Sequence, residues 1–133
     1  YYCSEQYMMA EKASLFNDPV TLAKILTTKN PAYVQALGRE IKNFDGEKWD
    51  QAKFDIVYNG NRYRFEQNKE LRDFILSFPK ETIFAEAHPD DNIWGIGFTE
   101  NEPEAQDPMK WTGLNLLGFA ITKARDYLLS NNL

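Results

Sequence analysis

Apolar residues recur along much of this chain at steps of three and four, the spacing that puts side chains on one face of an α-helix. Trp49, Ala52, Ile56, Gly60 and Tyr63 mark one such stripe, Leu71, Phe74, Ile75 and Phe78 a second, and Leu117, Ala120, Ile121, Ala124 and Leu128 a third. Polar punctuation sets where helices begin. Asn17-Asp18-Pro19 and Asn30-Pro31 each supply an N-cap followed by proline at the first helical position. The first of these helices carries Val20, Leu22, Ala23, Ile25 and Leu26. The second carries Tyr33, Val34 and Leu37 and is expected to stop at Gly38, leaving Arg39 just beyond its end. Asp45 can cap the helix that holds the first stripe, Asn68 begins the next, and Pro79 ends it.

Two stretches break the helical rhythm. Asn59-Gly60 is a hairpin signal where alternating strands flank it, but these flanks do not alternate. A helix running through Gly60 is therefore expected, at a penalty of about 1 kcal/mol, with another backbone or a ligand coming close to the glycine. Thr82 to Ala87, rich in β-branched and apolar residues, reads as a strand leading into the turn-forming run His88-Pro89-Asp90-Asp91-Asn92. Thr99 to Met109, with four acids and two prolines, reads as a solvated loop, after which Trp111 to Asn115 open the last helix. The pattern predicts an α+β fold: one domain over residues 1–133, predominantly helical with a small β component. Tyr1-Tyr2-Cys3 reads as the end of a strand, so an upstream β segment is expected to be missing from this chain.

Composition narrows the class. A chain of 133 residues, 43% apolar and 14% aromatic, can bury one sizeable core. No apolar run is long enough to span a bilayer and no basic-then-apolar leader is seen, so a soluble, intracellular (cytoplasmic) protein is expected. Cys3 and His88 are the sole cysteine and histidine, which excludes an internal disulfide and a structural zinc site. The acids lack calcium-loop spacing, so no metal is expected. A net charge of -5 argues against broad nucleic-acid binding while leaving room for a local basic pocket.

The candidate chemistry begins in the first helix, which Ser4 is expected to cap. Glu5, Met8, Met9 and Lys12 fall on one face, placing a carboxylate and an ammonium beside soft apolar side chains. Glu5 in the first turn suits an anionic role, or is an ordinary helix-end acid. Arg39 offers a planar fork for phosphate or carboxylate, or a surface ion pair. In Trp94-Gly95-Ile96-Gly97 the glycines offer backbone N–H groups that a ligand can approach, with Trp94 as a stacking surface; the alternative is a core tryptophan at a bend. Asn115, near the start of the last helix, can bind an anion or base edge, or cap its own helix.

Taken in order, several segments resemble the NADAR domain, or YbiA-like, family. They are Ser4-Glu5-Gln6-Tyr7-Met8-Met9 with Lys12-Ala13, Leu37-Gly38-Arg39, Gly60-Asn61 with Phe65 and Gln67-Asn68, and Asp91 with Ile93 to Gly97. Asp107-Pro108, Trp111, Gly113 and Asn115 to Gly118 complete the set, so that the likeness runs from Tyr1 to about Leu128. The resemblance implies a helix-dominated α+β fold and hydrolysis of N-glycosidic bonds, with no cofactor. It implies as substrate either a nucleotide-like metabolite, such as a ribosylamino pyrimidine of riboflavin synthesis, or ADP-ribose on guanine, including guanine in nucleic acid. It implies Glu5 as the acid of the active centre and Lys12, Arg39, Asn61, Asp91, Trp94, Gly95, Ile96, Gly97 and Asn115 as ligand-binding positions. Glu11 and Asn92 depart from the glutamine and arginine of many relatives, the latter weakening a phosphate contact. The competing expectation is a noncatalytic module that holds ADP-ribose or an NAD-like nucleotide in the same pocket.

Overall fold

The computed structural model describes residues 3–131. Among the described residues there are six α-helices: α1 (Ser4–Leu15), α2 (Pro19–Thr27), α3 (Pro31–Arg39), α4 (Gly46–Gln67), α5 (Lys69–Leu76) and α6 (Leu116–Ser130). Two short 3-10 turns, Pro103–Gln106 and Pro108–Lys110, interrupt the acidic loop. The chain divides into two compact units, one up to Gly60 and one from Asn61 onward. Among the described residues no helix is long and apolar enough to cross a membrane.

The first unit is helix packed on helix. Ala10, Ala13 and Phe16 of the α1 segment meet Ile25 of α2, Val34 and Leu37 of α3, and Ile41, with Met9, Leu15, Leu22 and Trp49 closing over them. Local caps fix where these helices start. Asp18 Oδ1 accepts from Thr21 N–H at 3.1 Å, and Asn30 Oδ1 accepts from Ala32 and Tyr33 at 3.0 and 3.3 Å. Asp45 Oδ1 takes the Glu47 and Lys48 N–H groups ahead of α4.

Small residues let the elements approach. A Cβ on Gly38 would collide with Met9 Sδ, and one on Gly60 would come within 2.8 Å of the Tyr7 ring. Gly38 therefore does not stop α3, which runs on to Arg39; it is small because a methionine lies on it. Gly60 sits inside α4 as the stripe predicts, and its close neighbour is an aromatic ring rather than a backbone or a ligand. Ser4 is already helical, so the cap is Cys3, in extended conformation and without a side-chain cap bond. The strand reading of Tyr1-Tyr2 lies outside the described residues.

The second unit corrects the one strand expected within the chain. Residues 82–88 take no regular secondary structure, and no strand occurs among the described residues. Their backbone groups bond to side chains of α6 instead. Arg125 donates to Pro79 O at 3.3 Å and Thr82 O at 2.6 Å, and Thr122 Oγ1 accepts from Phe84 N–H at 2.9 Å. The Asn115 amide donates to Phe84 O at 3.0 Å and accepts from Glu86 N–H at 2.9 Å. Gly118 leaves the groove open, since a Cβ there would strike Phe84 O. Backbone groups need partners but not a ladder, and a helix face of Asn115, Gly118, Thr122 and Arg125 provides them. Ala120, Ala124 and Leu128 of α6, with Phe65, Ile75 and Ile96, form the buried apolar part of this unit.

Candidate active site

In the first unit, α1 and the end of α3 carry the charged candidates. Glu5 is exposed in the first turn of α1. Lys12, two turns on, is half-buried: its Nζ donates to Gly38 O at 3.2 Å and lies over the rings of Phe44 at 4.9 Å and Trp49 at 5.3 Å. Burial lowers its pKa from the usual lysine value. Its ammonium thus neutralises the carbonyl-rich end of α3 one residue before Arg39. Arg39 is exposed, and among the described residues its guanidinium has no hydrogen-bond or ion-pair partner. Its planar fork is open to an oxyanion.

Gln6, whose sequence context marks only a motif position, is 3% exposed, and its amide donates to Ile25 O at 3.0 Å and Thr28 O at 3.2 Å. It closes the end of α2 against α1 one residue from Glu5, filling carbonyls that a helix end leaves open. A glutamine among buried neighbours was the available signal.

In the second unit, Asp91, Trp94, Gly95, Ile96, Gly97 and Asn115 come together. Asp91 Oδ1 accepts from Ile93 N–H at 3.0 Å and Trp94 N–H at 2.8 Å, so it shapes the turn that presents the half-buried Trp94. The glycines serve backbone packing. A Cβ on Gly95 would lie 2.8 Å from Asp91 O, and Gly97, at φ +85°, would carry a Cβ into Thr112 Oγ1. Of the N–H groups in this run, Ile96 N–H bonds Glu86 O at 2.9 Å and Gly97 N–H bonds His88 O at 3.2 Å. Ile96 itself is 1% exposed.

The start of α6 is likewise occupied. Asn115, Leu116 and Leu117 give their N–H groups to Gly95 O, Ile93 O and Trp94 O at 2.9, 3.1 and 3.2 Å. Asn115 is fully buried in a left-handed conformation, φ 51°, and does not cap the helix with its side chain. Its amide holds residues 84–86 rather than facing a base edge, and no anion can use these N–H groups. Asn61, on α4, is also buried.

A family model, the NADAR domain, matches residues 1–129. The chain belongs to the NADAR domain family. This NADAR chain is 44% identical over 126 residues to N-glycosidase R617 of Acanthamoeba polyphaga mimivirus, a stretch that covers 95% of the chain and 74% of that relative. It is 34% identical over 130 residues to protein irg-1 of Caenorhabditis elegans, covering 96% of the chain and 61% of the relative. With N-glycosidase YbiA of Escherichia coli (strain K12) it shares 25% identity over 125 residues, 94% of the chain and 69% of the relative. It thus spans roughly three fifths to three quarters of each of these relatives.

Proposed function

We propose that this NADAR chain is an N-glycosidase that hydrolyses the bond between the anomeric carbon of a ribose and an amino nitrogen of a base. The observation that carries this is the 44% identity, across nearly all of the chain, to a relative named an N-glycosidase. Breaking such a bond develops oxocarbenium-like charge on the sugar while electrons move to the departing nitrogen. Water then forms the new bond to the anomeric carbon, loses one proton, and the nitrogen gains one. A carboxylate near the sugar stabilises that cation or takes the proton from the attacking water, and Glu5 is the residue for this role. Its exposure and its place in the first turn of α1 support the reading.

Trp94 is the stacking surface for the base, and Arg39 the fork for a phosphate or diphosphate. Lys12 adds positive charge beside Arg39 without meeting the phosphate directly. Gly95, Ile96, Gly97, Asp91 and Asn115 act through the shape of the Trp94 turn. The substrate class is ribose joined to guanine as ADP-ribose, in a nucleotide or nucleic acid, or a ribosylamino pyrimidine phosphate.

Incubation with each substrate and chromatography of the released base tests this directly. Release from either one is expected. E5Q is expected to keep the helical circular dichroism spectrum and bind ADP-ribose while turnover falls at least about a hundredfold, the scale of general acid–base catalysis. Wild-type turnover in E5Q removes Glu5 from the mechanism. Binding of ADP-ribose by the wild type with no release from either substrate identifies a noncatalytic module instead.

A further inference from the structure

We infer that Thr122 and Arg125 of α6 are positioning residues for the Trp94 turn, acting through the irregular segment 79–88; the functional part of this inference rests on the N-glycosidase reading. Neither residue belongs to the set picked out above as ligand-binding. The chain of contacts is continuous. Arg125 is 1% exposed and holds Pro79 O and Thr82 O, with its guanidinium also 5.1 Å from the centre of the Phe84 ring. Thr122 Oγ1 accepts from Phe84 N–H and donates to Gly118 O at 2.8 Å, so it links the segment to the α6 backbone as both acceptor and donor. Asn115 takes the next backbone groups, at Phe84 O and Glu86 N–H. The same segment then holds the turn: Glu86 O receives Ile96 N–H and His88 O receives Gly97 N–H.

Trp94 therefore stands on a backbone with no ladder of its own beneath it. One edge of that backbone is fixed by Asp91 and the N–H groups opening α6, and the other by a segment that α6 side chains grip. Removing one grip frees a backbone N–H in a half-buried place and loosens everything that hangs from Glu86 and His88. Such looseness changes how often Trp94 is in place to receive a base, not the chemistry at the sugar. A substitution at 122 is thus expected to raise KM and leave kcat near the wild-type value.

The experiment compares the wild type, T122V, T122S and R125K by hydrogen exchange of the peptide spanning residues 92–98 and by steady-state turnover of guanine-linked ADP-ribose and ribosylamino pyrimidine phosphate. Valine keeps the shape of threonine and removes the hydroxyl; serine restores it. Expected for T122V are exchange about tenfold faster in 92–98, unchanged exchange in α1 to α3, and a KM raised about tenfold at unchanged kcat, with T122S returning both to near wild type. R125K, which keeps charge but not the two-pronged hold, is expected to fall between them.

Unaltered exchange in T122V and R125K overturns the inference, as does faster exchange with unaltered KM. A fall in kcat at constant KM also overturns it, because it puts the effect on chemistry. Absence of turnover in the wild type is a failure of the N-glycosidase reading instead. The exchange comparison then still decides whether α6 holds the turn.

Discussion

The two units of this molecule solve the same problem with different materials. Up to Gly60, apolar side chains at helical spacing pack against one another and Asp18 and Asn30 cap helices two or three residues away, while Gln6, Lys12 and Asp18 also tie down backbone 19 to 26 residues distant. From Asn61 onward much of the backbone is irregular, and buried polar side chains of one helix serve as the partners that a neighbouring strand would have given. A core of the first kind tolerates graded loss, because each side chain contributes its own buried area. A core of the second kind fails more abruptly: an unfilled hydrogen bond costs more than the bond contributed.

Substitutions can break or sharpen this contrast. Gly113→Ala is expected to have the largest effect, about 4 kcal/mol in urea denaturation, because the new methyl would meet Gly95 O and lie 2.8 Å from Ile96 C, both backbone. Arg125→Met is expected to cost about 3 kcal/mol, since Pro79 O and Thr82 O lose their donor together. In the first unit, Val34→Ala truncates a fully buried side chain and is expected to cost about 2 kcal/mol without changing hydrogen exchange in residues 92–98. Equal losses from Val34→Ala and Arg125→Met would erase the distinction between the units. Asn30→Ala, which loses the cap over Ala32 and Tyr33, is expected to cost about 1 kcal/mol.

A pH dependence localises to the first unit. The Lys42 backbone N–H, followed by the hydroxyl and N–H of Thr21, holds the Asp18 carboxyl down to about 2 from its usual 3.8. The folded state thus binds this proton less readily than the unfolded chain does. The stabilisation is complete above the unfolded value and is lost as the pH falls through that window toward 2. Denaturation midpoints measured from pH 5 to pH 2 are expected to fall less steeply in D18N than in the wild type.

How much of this was legible follows from distance along the chain. Asn30-Pro31, Asp18-Pro19, Asp45 and Asn68 declared their helices because cap and capped group are neighbours in sequence, and the stripe through Gly60 outweighed the turn signal beside it. Residues 82–87 have strand composition, but composition cannot say whether the partner is a strand. The partners here, Asn115 and Phe84, are 31 residues apart. The same separation hid the meaning of Asn115, whose amide suits a ligand as well as it suits a carbonyl and an N–H. In sequence the glycines at 95 and 97 suit the approach of a ligand, and they equally suit the three protein segments that converge there. Glu5 and Arg39 kept the exposure that a reaction partner needs.

The Tyr7 ring resting on Gly60 ties the beginning of the chain to the middle of its longest helix. A ring against bare backbone has no knob and no hole, so the spacing between them is governed by a missing carbon. Restoring that carbon drives a wedge beneath α1 two residues from Glu5. The seating of the first turns of α1 is therefore set by a residue more than fifty positions downstream.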